Sequence, residues 1–242
     1  MRNKQKNHPR YLSLITREKI AKAMKDGLVH STGLIAHGRG EAFDYLIGEK
    51  TLSYSDESEK VAAAALIIAK NPVISVNGNV VALSSKEIIE LSELIPSKIE
   101  VNLFHRTNER IKKLKKELEK SGGDIIYGIN ADEKIPGLKH DRALCDSDGI
   151  YSSDIILVPL EDGDRCQALK NMGKKIITID LNPLSRTAKT ADITIVDNIT
   201  RAIPNISKWL KILKDEDKEK LNRLVLNFDN KKNLSNISNY NS

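Results

Sequence analysis

The sequence predicts an α/β fold: a doubly wound, mostly parallel sheet with an N-terminal helical region. Three observations carry that reading. Short apolar, β-branched runs recur from Pro72 onward, segments of helical periodicity separate them, and residues 1–70 show helix signals without a strand-like run. Apolar strands alternating with helices imply parallel pairing, with helices covering both faces. The 242 residues suffice for one large domain or two small ones. They divide into a helical region packed on the core (1–70), an α/β core (71–214) and a polar, mobile tail (215–242).

The elements follow in order. HPRYLSLITREKIAKAMKDG (8–27) reads as a helix with Pro9 near its start and Gly27 at its end. A glycine-rich loop comes next, and EAFDYLIG opens a second helix at Glu41. DESEKVAAAALIIAK (56–70) places Asp56 and Glu59 at capping-box spacing before an apolar run of strong helix formers. Its all-round hydrophobicity implies a buried helix or one packed between subunits. VISV (73–76), KIEVNLF (98–104), DIIYGI (124–129), DIILVPL (154–160), KIITIDL (175–181) and ITIVDN (193–198) read as strands. SKEIIELSELI (85–95) opened by Ser84, NERIKKLKKELEKSG (108–122) entered through Thr107, and DRCQALKNMG (164–173) read as helices. NKKNLSNISNYNS, after a change to polar composition near Asp215, looks disordered.

Composition excludes several classes. No run approaches the roughly 18–20 apolar residues of a membrane span, and the basic start MRNKQKNHPRYLSL lacks the apolar core of a secretory signal. Cys145 and Cys166 form no metal-like pair, which points to a cytoplasmic protein with reduced thiols. The net charge of +6 permits nucleic-acid binding. The densest basic run, RIKKLKKELEK (110–120), however, mixes lysine with glutamate at helical spacing, as a solvated helix face does. Aromatics are only 4%, too few for a set of stacking platforms, so no nucleic-acid partner is expected.

Ligands of open parallel sheets bind beyond the carboxyl ends of the strands. The segments just past the strands are NGN (Asn77–Asn79), HRTNER (His105–Arg110), EDGDR (Glu161–Arg165), LNPLSRTA (Leu181–Ala188) and DNITRA (Asp197–Ala202). They gather amides, hydroxyls, carboxylates and arginines on one edge. Individually, Thr107 and Asp164 also read as helix caps, Asn77-Gly78 as a turn, and Asp180 as the cap of a helix near Pro183. GLIAHGRGEAFDYLIGE (33–49) sets Arg39 between Gly38 and Gly40 just before a helix start, which suits either a phosphate site or a tight turn with a solvated arginine. No P-loop and no G-x-G-x-x-G after a strand occurs. Arg17, Arg39, Arg106 and Arg186 instead fit a ligand with more than one phosphate. Asp162 and Asp164 suit Mg²⁺ or a solvated acidic turn. His37 and His105 are candidate general bases without a Ser or Cys partner. From the residues alone, the chain binds a phosphate-rich ligand on a doubly wound sheet.

HPRYLSLITRE, GLIAHGRGEAFDYLIGE, PVISVNGN, EVNLFHRT, VPLEDGDR, IDLNPLSRTA and IVDNITRA together resemble the archaeal phosphopantothenate synthetase (4-phosphopantoate–β-alanine ligase) family. The resemblance runs from His8 to Pro204. It implies a Rossmann-like nucleotide-binding core and condensation of 4-phosphopantoate with β-alanine in coenzyme A biosynthesis. With it come the expectations of ATP as co-substrate, with Mg²⁺, an acyl-adenylate intermediate, and AMP and diphosphate as products. It also implies a homodimer. Carried over by motif, the ATP contacts fall on Arg17, Arg39, Asp180, Leu181, Asn182, Arg186, Thr187, Asn198 and Ile199. Arg39, His37 and His105 become candidate catalytic groups. Asn77, Asn79, His105 and Arg106 are substrate candidates by location only. An oxidoreductase of Rossmann type, weakened by the missing glycine fingerprint, and a basic RNA-binding module, supported only by charge, are the alternatives.

Overall fold

A computed structural model describes residues 7–240. Most of the basic start lies outside the described residues. Three helices open the chain: α1 (Tyr11–Lys25), α2 (Ser31–Leu46) and α3 (Ser53–Ile68). The expected glycine-rich loop is absent, because Gly33, Gly38 and Gly40 all lie inside α2. His30 starts that helix early, its Nδ1 accepting the Thr32 amide at 3.3 Å. Glycine costs a helix interior about 1 kcal/mol relative to alanine, and at Gly33 close approach offsets it. The Gly33 carbonyl accepts Asn79 Nδ2 at 2.8 Å, and a Cβ there would lie 2.6 Å from Asn79 Oδ1.

Six parallel strands form the sheet: β1 (Pro72–Val76), β2 (Lys98–Val101), β3 (Ile126–Tyr127), β6 (Ile155–Leu157), β7 (Lys175–Ile179) and β8 (Ile193–Ile195). Their order is β3-β2-β1-β6-β7-β8. A short antiparallel ribbon, β4 (Glu133–Lys134) with β5 (Leu144–Cys145), interrupts the series and was not visible in the sequence. With that ribbon set aside, the order is 3-2-1-4-5-6, the doubly wound arrangement. Ile74 pairs with Ile99 on one side and Leu157 on the other, so β1 is central. The strands are shorter than the apolar runs because the chain leaves the ladder early to form the loops of the ligand edge.

The helices between strands are α4 (Gly78–Leu94), α5 (Asn108–Lys120), α6 (Gly163–Asn171) and α7 (Arg186–Thr190). Thr107 caps α5 as expected. Asn77 caps α4 seven residues before Ser84, which is a non-helical kink (φ −145°, ψ 30°) rather than the helix start. Asp162, not Asp164, caps α6, and Ser185, not Asp180, caps α7. After β8 come α8 (Ile199–Leu213), α9 (Lys218–Leu226) and α10 (Asn230–Ser238). The last two correct the expectation of a disordered tail. Leu221, Leu234 and Ile237 are buried, and Asn230 closes the sheet edge by accepting the Thr194 amide of β8 at 2.8 Å. An unpaired edge strand otherwise exposes such groups.

α3 is a core helix, as one of its two expected roles required: Ala62 to Ala65 have no exposed surface. It packs with α4 and α8 on the face that buries Ile74, Val76, Ile99 and Ile177. The opposite face buries Val73, Ile156 and Ile176 against α6 and the ribbon. The capping-box reading of Asp56 and Glu59 fails, since Leu52 precedes α3 without a side-chain cap. Asp56 instead accepts Trp209 Nε1 at 3.0 Å and Asn205 Nδ2 at 2.7 Å. Cys145 and Cys166 are buried, and burial pushes each thiol up to about 12.

Glu59 yields a stability prediction. Burial first, then Asp197 and Asp56, push its carboxyl from 4.5 to about 9, although Asn205 opposes the shift. Between those values the folded chain keeps a proton that the unfolded chain has lost, so this group's contribution falls as pH rises through the window. Glutamine cannot ionise. Glu59→Gln should therefore melt with the parent near pH 5 and above it at pH 8, by about 2–4 °C per kcal/mol recovered. Equal shifts at both pH values in thermal melts would contradict this.

Candidate active site

The winding reverses between β1 and β6, and the chain leaves those strands in opposite directions. A cavity of about 550 Å³ opens there, floored by the loops after β1, β2, β6 and β7 and walled by α2. At its centre Leu160 takes a left-handed conformation (φ 56°). Its amide donates to Ile179 O at 3.0 Å and its carbonyl accepts Asn77 Nδ2 at 3.1 Å, so three strand ends hold one strained turn.

The next residue, Glu161, has a 1% exposed side chain lying between two guanidinium groups. Arg142 Nη1 donates to Oε1 and Arg165 Nη1 to Oε2. Burial pushes the Glu161 carboxyl up and the arginines pull it back. Arg165, fully buried, also donates to Ser75 Oγ on β1 at 3.0 Å. Thr187 Oγ1 donates to the Glu161 carbonyl at 3.1 Å, tying α7 to the same loop.

Asp180 ends β7 and organises the loop after it. Oδ1 accepts the Asn182 amide at 2.9 Å and Oδ2 accepts Ser185 Oγ at 2.5 Å. Burial raises its pKa, while Ser185, Asn182 and the charge of Arg39 oppose the shift. Arg39, exposed on α2, thus faces Asp180 across the cavity. Leu181 lies on the apolar floor with Ala188 and Val196. Arg186 lies at the rim in an ion pair with Asp164, both exposed.

His37 lines the α2 wall with its side chain 9% exposed. Its Nε2 is 3.8 Å from Glu41 Oε1 and has no hydrogen-bond partner. Burial is the main cause holding its pKa below 6.5. Glu41 in turn accepts Arg17 Nε at 2.7 Å and Ser13 Oγ at 3.1 Å.

The cavity gathers His37, Arg39, Asn77, Asn79, His105, Asp180, Leu181, Asn182, Arg186 and Thr187 from the residues singled out in the sequence. Asp162 lines it too, and five others, among them Asp164 at the rim, do not. Arg17 lies behind Glu41. Arg106 turns away to Gly128 O at 2.7 Å. Asn198 caps α8 and donates to Asp44 Oδ2 at 2.9 Å, and Ile199 is core. Asn77 is committed to its cap, accepting the Asn79 and Val80 amides at 3.0 and 3.2 Å. Sequence reasoning missed His30 and Arg142, and it quoted Arg110 and Ser185 within ligand-edge loops without singling them out; all four line the cavity. Arg110 also opens the lysine-rich helix face, and Arg142 stands in a segment without periodicity.

For a metal, Asp162 Oδ2 is buried without a hydrogen-bond partner, 3.2 Å from Arg142 Nε. No cluster of three or more metal-ligating side chains occurs among the described residues. The site therefore suits Mg²⁺ only if phosphate oxygens and waters complete the shell. No helix of the described residues is long and apolar enough to cross a membrane.

The phosphopantothenate/pantothenate synthetase family model matches residues 54–240. The chain is 52% identical over 238 residues to the 4-phosphopantoate–β-alanine ligase of Thermococcus kodakarensis, spanning 98% of this chain and 91% of that protein. It is 53% identical over 229 residues to the ligase of the same name from Methanosarcina mazei, spanning 95% and 90%. A third, from Methanospirillum hungatei, is 52% identical over 219 residues, spanning 90% and 89%. These matches favour neither the oxidoreductase nor the RNA-binding alternative. They also extend into α9 and α10, the segment read from sequence as a tail. The chain belongs to the phosphopantothenate/pantothenate synthetase family.

Proposed function

We propose that this enzyme joins 4-phosphopantoate to β-alanine in coenzyme A biosynthesis, with ATP as co-substrate and AMP and diphosphate as products. The observation that carries the reading is near-full-length similarity, at about half identity, to proteins named for that ligation. The cavity at the topological switch point supports it.

A carboxylate acylates an amine only after its oxygen becomes a good leaving group. The 4-phosphopantoate carboxylate attacks the α-phosphorus of ATP, the bond to the β-phosphate breaks, and diphosphate leaves. The β-alanine nitrogen then bonds to the acyl carbon, the carbon–oxygen bond breaks, and AMP departs. Arg39 offers a permanent planar charge to the phosphates as two anions come together. Asp180, Asn182 and Thr187 hold the nucleoside end, each oxygen of Asp180 keeping acceptor capacity beyond its loop bond. Arg186 leaves Asp164 to meet the outer phosphates. Asn198, Ile199 and Arg17 support the nucleotide loops and α2 from behind. A bound Mg²⁺ supplies charge neutralisation on the triphosphate, with Asp162 and Asp164 as the carboxylates at hand. His37, kept neutral by burial, accepts the proton that the β-alanine ammonium must lose before attack. His105 lies on the acid-substrate side. The reduced thiols of Cys145 and Cys166 support a cytoplasmic setting.

Incubation with ATP, Mg²⁺, 4-phosphopantoate and β-alanine tests the reaction. Stoichiometric AMP is expected, whereas ADP would replace the adenylate with an acyl phosphate. Arg39→Ala should fold normally and lose roughly 10²–10³ in turnover, the scale for one preorganised charge-stabilising donor. Near-parent turnover at saturating ATP would make Arg39 a solvated surface residue.

We also propose a homodimer. With α3 buried, the helix read as a possible interface is unavailable, whereas Leu12 on α1 and Ile35 and Tyr45 on α2 are 76%, 73% and 59% exposed. Light scattering at micromolar concentration should return twice the chain mass, and Ile35→Glu should shift it toward the monomer. A monomeric parent protein would refute the assembly.

A further inference from the structure

The cavity has two electrostatically different ends. At the β7 end Arg39 faces Asp180 and Arg186 pairs with Asp164, and between the ends, after β6, Glu161 is paired with Arg142. At the β2 end stand His30, His105 and Arg110, and among the described residues no carboxylate pairs with any of them. The His30 and His105 rings stack with centroids 3.9 Å apart. Arg110, in the first turn of α5, donates through Nη1 to His105 O and through Nη2 to Leu28 O at 3.1 Å. Its Nε is buried without a partner.

A half-buried guanidinium satisfied only by carbonyls keeps its whole positive charge without a counter-ion. Desolvation accordingly lowers the Arg110 pKa, and it lowers that of His30 together with the nearby His105 and Arg110. The Arg110 guanidinium therefore stands without a counter-ion beside two imidazoles whose ring nitrogens can donate to an anion. Beside them Asn77 Oδ1 already takes the second and third amides of α4, those of Asn79 and Val80, so side chains carry most of the binding. From the end of β2 to the end of β7 is three strand gaps, about 14 Å at ~4.8 Å per gap. That span separates the two ends of a bound acid and nucleotide.

We propose that His30, His105 and Arg110 bind the phosphate of 4-phosphopantoate, so that this cluster selects the phosphorylated acid over pantoate. The proposal rests on the ligase reading above and adds to it a subsite and a basis for specificity. The acid's carboxylate then points along the cavity toward the nucleotide end.

The test compares KM for 4-phosphopantoate and for pantoate in the parent enzyme, His30→Asn and His105→Gln. Asparagine keeps the helix cap that His30 provides. Each substitution should raise KM for 4-phosphopantoate by about tenfold or more, the loss expected for one charge-assisted hydrogen bond. KM for pantoate and for ATP should change less than twofold. An unchanged KM for 4-phosphopantoate, or equal rises for both acids, would overturn the subsite. If the parent protein ligates neither acid, the ligase reading falls by itself. Calorimetric titration of 4-phosphopantoate and pantoate into the ATP-free protein then decides the subsite: phosphate-dependent binding weakened in both variants upholds it, and equal or absent binding overturns it.

Discussion

The buried carboxylate of Glu161 between Arg142 and Arg165 is the contact on which the cavity depends. Arg165 reaches it from α6 and holds Ser75 of β1. Arg142 arrives from the short 3₁₀ turn Asp141–Ala143 beside the ribbon, and Thr187 bonds its carbonyl from α7. One residue, through its side chain and its carbonyl, therefore ties four separate pieces of chain together at the reversal of the sheet. Removing one partner of a buried ion pair leaves an uncompensated charge, at a typical cost of 3–5 kcal/mol. That penalty explains how Leu160, one residue earlier, is held in a left-handed turn that a leucine does not adopt alone. The strain sets the entry to α6, and with it the positions of Asp162 and Gly163 on the cavity floor.

The α2 wall is held on a different principle. Its buried residues are Glu41 and Asp44, while Ile35 and Tyr45 are exposed. Glu41 is tied to Arg17 of α1, and Asp44 to Arg201 and Asn198 of α8. Beside the partly buried Leu34 and Phe43, ion pairs and hydrogen bonds do much of the work of the apolar stripe that normally seats a helix. The same inversion turns His37, Arg39 and Gly40 toward the cavity and leaves an apolar outer surface. Arg17 and Asn198 acquire a role that motif matching does not reveal: each positions the wall from behind through a carboxylate on α2.

Much of the fold was legible because its signals are local. Six apolar runs, a Thr107 cap and the change in period at Pro72 need only neighbouring residues to be read. The glycine-rich segment misled because three glycines in eight positions argue for a loop, whereas Gly33 answers to Asn79, 46 residues away. The tail misled because its composition is polar, while the few buried residues Leu221, Asn233, Leu234 and Ile237 do the packing. Asn233 alone reaches Ser58 at 2.7 Å, a partner 175 residues distant. Of the site, the residues after β1, β2 and β7 were found because strand ends mark the ligand edge. Glu161 and Arg165 sat in one quoted loop, yet Arg142 comes from a segment that no motif joins to it. His30 was hidden because a helix cap and a ligand group look alike in sequence.

The division of charge along the cavity follows from the chemistry proposed for it. Both substrates of the first step are anions, and their approach is opposed most strongly in a partly desolvated space. Uniform positive charge would hold both tightly but would bind products and reactants alike, without favouring the transition state. With Arg39 facing Asp180 and Arg186 paired with Asp164, positive charge at the nucleotide end is offset until phosphates arrive. The cluster at the other end offers the unpaired charge of Arg110 and two imidazole donors at once, suited to a phosphate that takes no part in the reaction. Binding energy from that spectator group can orient the carboxylate toward the α-phosphorus, while the arginines at the nucleotide end respond to charge that moves during transfer.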